Sequence, residues 1–422
     1  MNFSERRKSY ELFSYMEAAL LSFLFPLFIF APLHVKAGMN DELDKFDFHG
    51  FISQGYLNSS ANNIYGKTKK GSFEFGEYGL NFSSELSDNL WVGTQLFARD
   101  LGVIGNNQVK IDWAVADYRS SDVFGFRFGK IKLPLGLYNS TRDADTARTF
   151  IFLPTSVYSE LNREFTTSII GGSIYGDLND APGGDLSYEF LCGTLSIDND
   201  HLFVQDLFTV AATAVGINSF QSEFNDPQYA IAGRLQWSPE LIENLRLEVS
   251  GLKSEIDSGF DFVNLIPGGG LGKYRASSNI SINVASLEYT YKAFTFASEF
   301  FRYHSDTNIH IKSTAASSFI DLARASVSSD GYYFSGEYEF SDMIRVGSYY
   351  SVAYPDRQNR NRTHRDYLKD ITLTARVDFN DYLTWKIEGH RMKGTAQLTA
   401  TNNPDNFKPG WYLLTSKITV SF

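Results

Sequence analysis

A chain of 422 residues has room for two soluble domains or one large barrel. Its 38 Lys and Arg against 49 Asp and Glu leave a formal charge of −11, which argues against a nucleic-acid partner. Aromatic residues reach 15%, led by 36 Phe and 24 Tyr, in a chain that is only 43% hydrophobic, a balance that suits strands with one face in lipid and one in water.

Residues 1–37 read as a secretory signal peptide. Arg6, Arg7 and Lys8 give a positive start, Ala18 to Ala31 is almost wholly apolar, and Val35-Lys36-Ala37 sets small residues around a cut before Gly38. The apolar run is shorter than the roughly 20 residues of a membrane helix, and Pro26 interrupts it. No later stretch is long and apolar enough for a spanning helix. If 38–422 crosses a membrane, it must do so as a closed barrel, because an open sheet edge in lipid leaves backbone groups unpaired.

From Gly38 onward the recurrent pattern is alternation with period two. The spacing predicts strands near 46–58, 73–86, 89–101, 109–120, 123–133, 166–178, 184–197, 228–237, 244–256, 281–291, 293–303, 330–340, 343–354, 368–379, 382–394 and 411–422. The last is the clearest: Tyr412, Leu414, Ile418, Val420 and Phe422 share one face, and Thr415, Lys417 and Thr419 the other. In the strand at 123–133, Phe124, Phe126 and Phe128 share a face with Lys130 and Lys132, so either those lysines rise above the lipid or a bulge shifts the register.

The connectors alternate short and long. Short ones include Ser87-Asp88, Ser341-Asp342 and Asn380-Asp381, whose side chains bond back to a turn backbone. Long ones fall at 59–72, 102–108, 134–165, 198–227, 257–280, 304–329, 355–367 and 395–410. The expected fold is therefore all-β: a transmembrane antiparallel up-and-down barrel of about sixteen strands, wide enough for an aqueous channel. Parity sends Arg99, Lys110, Asp112, Arg127, Arg234, Arg246, Arg345, Arg376 and Lys386 to the lumen wall, with Glu77, Glu248, Glu288, Glu299, Glu337 and Glu388 among the opposing charges. A low-dielectric wall focuses such charges, so a few of them set ion choice.

The third long connector is the longest and carries Arg142, Asp143, Asp145, Arg148, Glu160, Arg163 and Glu164. Just before it, Gly129-Lys130-Ile131-Lys132-Leu133-Pro134-Leu135-Gly136-Leu137 resembles a stretch of the phosphate-selective porin family, and Phe150 to Glu160 and Gly172 to Gly176 are similar to the segments that come next in that family. The resemblance covers about 50 residues. It implies a bacterial outer-membrane porin, a trimer, with this loop folded into the lumen as the constriction. The ligand residues of that family do not align one by one.

The function expected is passive diffusion of small polar or anionic solutes, with no catalytic residues, no metal and no cofactor. The alternatives are a barrel enzyme of lipase or protease type, and a structural or adhesive barrel with a plugged lumen. Expected partners are outer-membrane lipid and lipopolysaccharide, two further copies of the chain, and the barrel-assembly machinery, addressed through the C-terminal strand ending at Phe422. The scattered histidines make no metal pair, and Asp198-Asn199-Asp200 lacks the rest of a calcium loop. Residues 207–217, apolar and Ala-rich, read as a helix in the mouth or a subunit contact.

Overall fold

The computed structural model describes residues 46–179, 181–197, 220–263, 271–313, 319–399, 402–404 and 407–422. The acidic segment 198–200 and the Ala-rich segment 207–217 lie outside the described residues. Sixteen strands form one closed antiparallel sheet in which each pairs with its sequence neighbours and β1 pairs with β16. They are β1 Phe46–Ser59, β2 Gly76–Ser87, β3 Leu90–Asp100, β4 Lys110–Ser121, β5 Phe124–Lys132, β6 Ser168–Leu178, β7 Gly184–Leu195 and β8 Phe220–Pro239. The second half continues with β9 Leu245–Val263, β10 Leu271–Tyr291, β11 Phe294–Ser313, β12 Ile320–Ser341, β13 Ile344–Tyr354, β14 Leu368–Asn380, β15 Leu383–Gly394 and β16 Gly410–Ser421. The seam runs from Phe51↔Ser421 to Ser59↔Leu413, so no strand edge is left open.

Alternation sorts the two faces. On β16, Tyr412, Leu414, Ile418 and Val420 are exposed outward while Leu413, Thr415, Lys417 and Thr419 are buried inward. The short turns are set by their side chains. Asn380 Oδ1 accepts from the backbone N–H of both Tyr382 and Leu383 at 2.9 Å. One-residue register shifts precede the turns at Glu85/Ser87, Arg119/Ser121, Glu339/Ser341 and Asp378/Asn380, so the repeated Ser/Asn-Asp signature corresponds to a repeated bulged hairpin.

Two expectations are corrected. Strands β8 to β12 have 19–22 residues, against 9–14 for the others, so much of the expected long connectors at 257–280 and 304–329 is paired strand. With a rise of about 3.3 Å per residue, one side of the barrel stands roughly 25–30 Å taller along its strands. Those segments lack lipid-type alternation because they are polar outside, as at Lys273, Arg275 and Asn308, and apolar inside, as at Phe260, Phe262 and Tyr274. The second concerns β5. From Gly125 its pairing with β4 and β6 runs unbroken through Lys130, and the bulge at this level lies instead on β4, where the register with β3 steps from Trp113 to Ile111 past Asp112. Lys130 stays outside and donates to the Ile111 carbonyl, 2.8 Å; Lys132 reaches Asp112 and Asp143.

Candidate functional site

The chain between β5 and β6 (residues 133–167), here L3, is the element that decides what the lumen can do. It ends in a short helix, α1 (Arg163–Thr167). Leu133 and Leu135 leave the strand inward and bury against Leu191, Ala232, Leu252, Ile282 and Val284, an apolar patch on the inner wall of β7–β10. Gly136 then turns the chain with φ +68°, and a Cβ there would meet Glu299 Oε1 at 2.5 Å. Glu299 is the first anchor. It accepts hydrogen bonds from Leu137 N–H (2.9 Å), Tyr158 OH (2.6 Å), Tyr333 OH (2.7 Å) and Ser286 Oγ (2.6 Å). Four donors on one buried carboxylate hold both limbs of the loop to β10–β12.

The charged residues of L3 meet charges on the wall. Glu160 lies 2.7 Å from Arg99 on β3 and 3.2 Å from Arg142 of the loop. Arg163 bridges Asp112 on β4, 2.7 Å, and Asp143, 2.8 Å. Glu164 pairs with Lys110, 2.7 Å. Asp145 crosses to the far wall, where it meets Lys386 (3.1 Å), Lys417 (2.9 Å) and the Thr419 hydroxyl (2.7 Å). Arg148 sits 3.8 Å from Asp145. Arg376 donates to the carbonyls of Thr146 and Arg148 at 2.7 and 3.0 Å. Glu388 accepts from Ile151 N–H and Phe152 N–H at 2.9 and 3.1 Å, and His390 stands between it and Asp370. L3 thus makes polar contact with β3–β5 and β9–β16.

Burial and pairing set the electrostatics of the loop. Against the desolvation of its burial, the Lys386 and Lys417 ammoniums hold the Asp145 carboxyl far below the usual carboxylate range. Glu160 is likewise desolvated, yet Arg99 and Arg142 bring it down to about 2. Both are anions at any ordinary pH.

The wall residues expected from parity fall into two groups. Arg99, Lys110, Asp112, Arg376 and Lys386 engage L3. Arg127, Arg234, Arg246 and Arg345 lie nearer the short turns, below it. Arg127 pairs with Asp117 (2.7 Å) and Glu189 (2.9 Å), Arg234 with Glu189 (3.8 Å), Arg246 with Glu288 (3.3 Å) and Arg345 with Glu339 (3.0 Å). Sequence reasoning puts Glu299 and Glu388 on the wall without an anchoring role, and gives none to His390, Lys132 or Tyr158. The signal for one group was present: Lys386, Glu388 and His390 are successive inward positions of one strand.

A sheet of sixteen strands closed on itself, with its third long loop packed inside, is a known architecture. The chain has the fold of the outer-membrane porins. It is similar to OmpT, an outer-membrane protein of Vibrio cholerae, with 11% identity, a TM-score of 0.51, and 89% of this chain and 97% of that one covered. The outer-membrane channel DcaP of Acinetobacter baumannii gives 9% identity and a TM-score of 0.51, with 89% and 97% covered. An anion-selective porin from Comamonas acidovorans gives 11% and 0.50, with 89% and 99% covered. No protein-family model matches the chain, and no curated protein matches it in sequence.

Proposed function

We propose that the protein is a passive diffusion channel of a bacterial outer membrane, narrowed by L3, for small polar solutes with a mild preference for anions. The observation that carries this reading is the way the loop is built into a closed barrel through ion pairs and buried carboxylates. Lys386 and Glu388 are 0% exposed and Lys417 1%, so the loop leaves no water-filled space against that wall. The open cross-section is therefore small, and the pore conducts weakly for a sixteen-stranded barrel.

The anion preference rests on the vestibule below the loop. Arg127 is 29% exposed where its partners Asp117 and Glu189 are 16% and 7%, and Arg234 is 27% exposed beside the same Glu189. Arg246 is 31% exposed against 22% for Glu288. At these three arginines the cation is the more exposed member of each pair. Arg345 is the exception, 36% against 42% for Glu339, so the preference is mild.

Phosphate specificity is not part of the proposal. Much of the stretch from Gly129 to Leu137 has a structural use: Lys132 meets Asp112 and Asp143, Gly136 supplies the turn, and Leu137 N–H caps Glu299. The same reading includes a signal peptide at 1–37, a homotrimer, surrounding lipid and lipopolysaccharide, and assembly through the strand ending at Phe422.

Single-channel recording in a planar bilayer under a salt gradient tests it. The expected result is small stepwise currents with a reversal potential of anionic sign, and a larger, less selective conductance when residues 140–160 are removed. A folded barrel that passes no current with or without the loop overturns the channel reading. Loss of a hydrolytic activity on changing one lumen side chain would replace it with the enzyme reading.

A further inference from the structure

The outer face changes character at one level along β11 to β15. Below that level the outward side chains are large and apolar: Phe300, Phe334, Tyr350, Ile371, Leu373 and Ile387 are 36–68% exposed. Above it stand Arg302 on β11, Lys369 on β14, Arg391 and Lys393 on β15, and Arg357 and Arg360 from the connector after β13. The register makes this one belt. Arg302 pairs with Asp330 and Asp330 with Tyr354, while Val352 pairs with Lys369 and Lys369 with Lys393. Five neighbouring strands at about 4.8 Å spacing give an arc roughly 20 Å wide.

The belt holds more cations than the protein neutralises. Asp330 serves Arg302 (2.9 Å), Arg357 (3.6 Å) and Arg360, with its own side chain 2% exposed. On β14 and β15, Lys369 and Lys393 face each other directly, a pairing that is unfavourable unless an anion lies between them. Among the described residues no carboxylate comes within ion-pair distance of Lys369, Arg391 or Lys393. The remaining charges of the connector, Asp356, Arg362, Arg365 and Asp366, balance one another. This local excess belongs to a chain of net charge −11. Aromatic rings sit under the cations, with Arg302 5.2 Å from the Phe300 centroid, Arg360 5.0 Å from Tyr354 and Lys369 5.0 Å from Tyr367. Rings and long cationic stems together mark the level where hydrocarbon gives way to headgroups.

We propose that this belt binds the headgroup of an outer-leaflet lipid that carries two phosphates, its acyl chains lying on the apolar face below. Two cation clusters, Arg302/Arg357/Arg360 around Asp330 of β12 and Lys369/Arg391/Lys393 on β14 and β15, flank β13, about 12 Å from centre to centre by strand spacing. That separation matches two anionic groups on one molecule better than a single phosphate. The proposal rests on the membrane-barrel reading above, which already places the chain among lipopolysaccharide, and adds a defined headgroup site for it on this face.

The test uses the full folded chain in dodecylmaltoside micelles doped with bis-phosphorylated lipid A, with phosphatidylcholine, or with inorganic phosphate alone, read by native mass spectrometry. Wild type is expected to retain lipid A, not phosphatidylcholine, with retention falling as salt rises. Lys369→Gln/Arg391→Gln/Lys393→Gln is expected to lower retention by about tenfold or more, since each cation near such a surface contributes measurably. Arg357→Gln/Arg360→Gln changes only the connector and should weaken retention without touching a strand. Retention equal to wild type in both variants overturns the proposal, as does displacement of the lipid by millimolar inorganic phosphate. Heat-modifiable migration verifies that each variant is a folded barrel. A channel that conducts but retains no lipid A overturns the belt and leaves the pore; a barrel that retains lipid A but never conducts does the reverse.

Discussion

Asp145→Asn removes one charge from an enclosed ionic cluster in the lumen. The wild-type carboxylate contacts Lys386 and Lys417 and accepts from Thr419, with Arg148 close by and Glu77 on the other side of Lys417. The amide keeps the shape and leaves Lys417 with Glu77, and Lys386 and Arg148 with no other carboxylate within ion-pair distance among the described residues. Removing one partner of a buried pair costs about 3–5 kcal/mol, because the remaining charge has lost its compensation. Guanidinium unfolding from phospholipid vesicles, followed by tryptophan fluorescence, should show a loss in that range for Asp145→Asn. Adding Lys386→Met should recover most of it, since an apolar side chain of similar length needs no counter-charge. A loss below about 1 kcal/mol, or no recovery in the double variant, refutes the claim that this pair holds the loop through charge.

The same geometry yields three further outcomes. Glu160 has its folded-state value depressed to about 2 from an ordinary 4.5, so its contribution is complete above pH 4.5 and lost as pH falls through 2; Glu160→Gln should flatten the stability profile in that window, and an unchanged profile counts against the Arg99–Glu160–Arg142 bridge. Gly136→Ala forces a side chain into a left-handed backbone at φ +68° and against Glu299, so a loss of about 1–3 kcal/mol is expected in the same unfolding assay. Arg127→Gln with Arg234→Gln should shift the reversal potential toward cations with little change in conductance; an unmoved potential would remove the vestibule arginines from ion choice.

The barrel is legible in the sequence because period-two alternation and turn chemistry are local signals. Ser87-Asp88, Ser341-Asp342 and Asn380-Asp381 mark hairpins, and strand ends from β13 to β16 come within a residue or two. The taller side is not legible. Above the lipid level β8–β12 exchange an apolar outside for a polar one, so the amphipathic rule that locates membrane strands reads their upper halves as loop. The charged residues of L3 are likewise visible, while their partners are not. Lys417, which meets Asp145, and Glu299 and Glu388, which hold the loop through backbone N–H groups and Tyr158, lie 132 or more positions beyond the loop, and only barrel closure brings them to it. His390 reads as one of several scattered histidines, yet the parity of β15 places it beside Glu388 on the inner wall.

L3 is built as part of the wall, and that fixes how the pore behaves over time. Moving it away would strip Glu299 of two loop donors, Glu388 of two backbone N–H groups, and Lys386 of both its Asp145 contacts. If each such loss costs about 3 kcal/mol, three together approach 9 kcal/mol, an open population of order one in a million. Water entering the vacated space offsets part of this, but even half the cost keeps the displaced state rare. The current through each pore should therefore be steady, without flicker from this loop. Glu388→Gln alone should leave it steady, while Glu388→Gln with Asp145→Asn should bring rapid flicker between two conductance levels. Flicker of the same size in wild type would mean that the loop is a mobile gate and that its buried carboxylates do not restrain it.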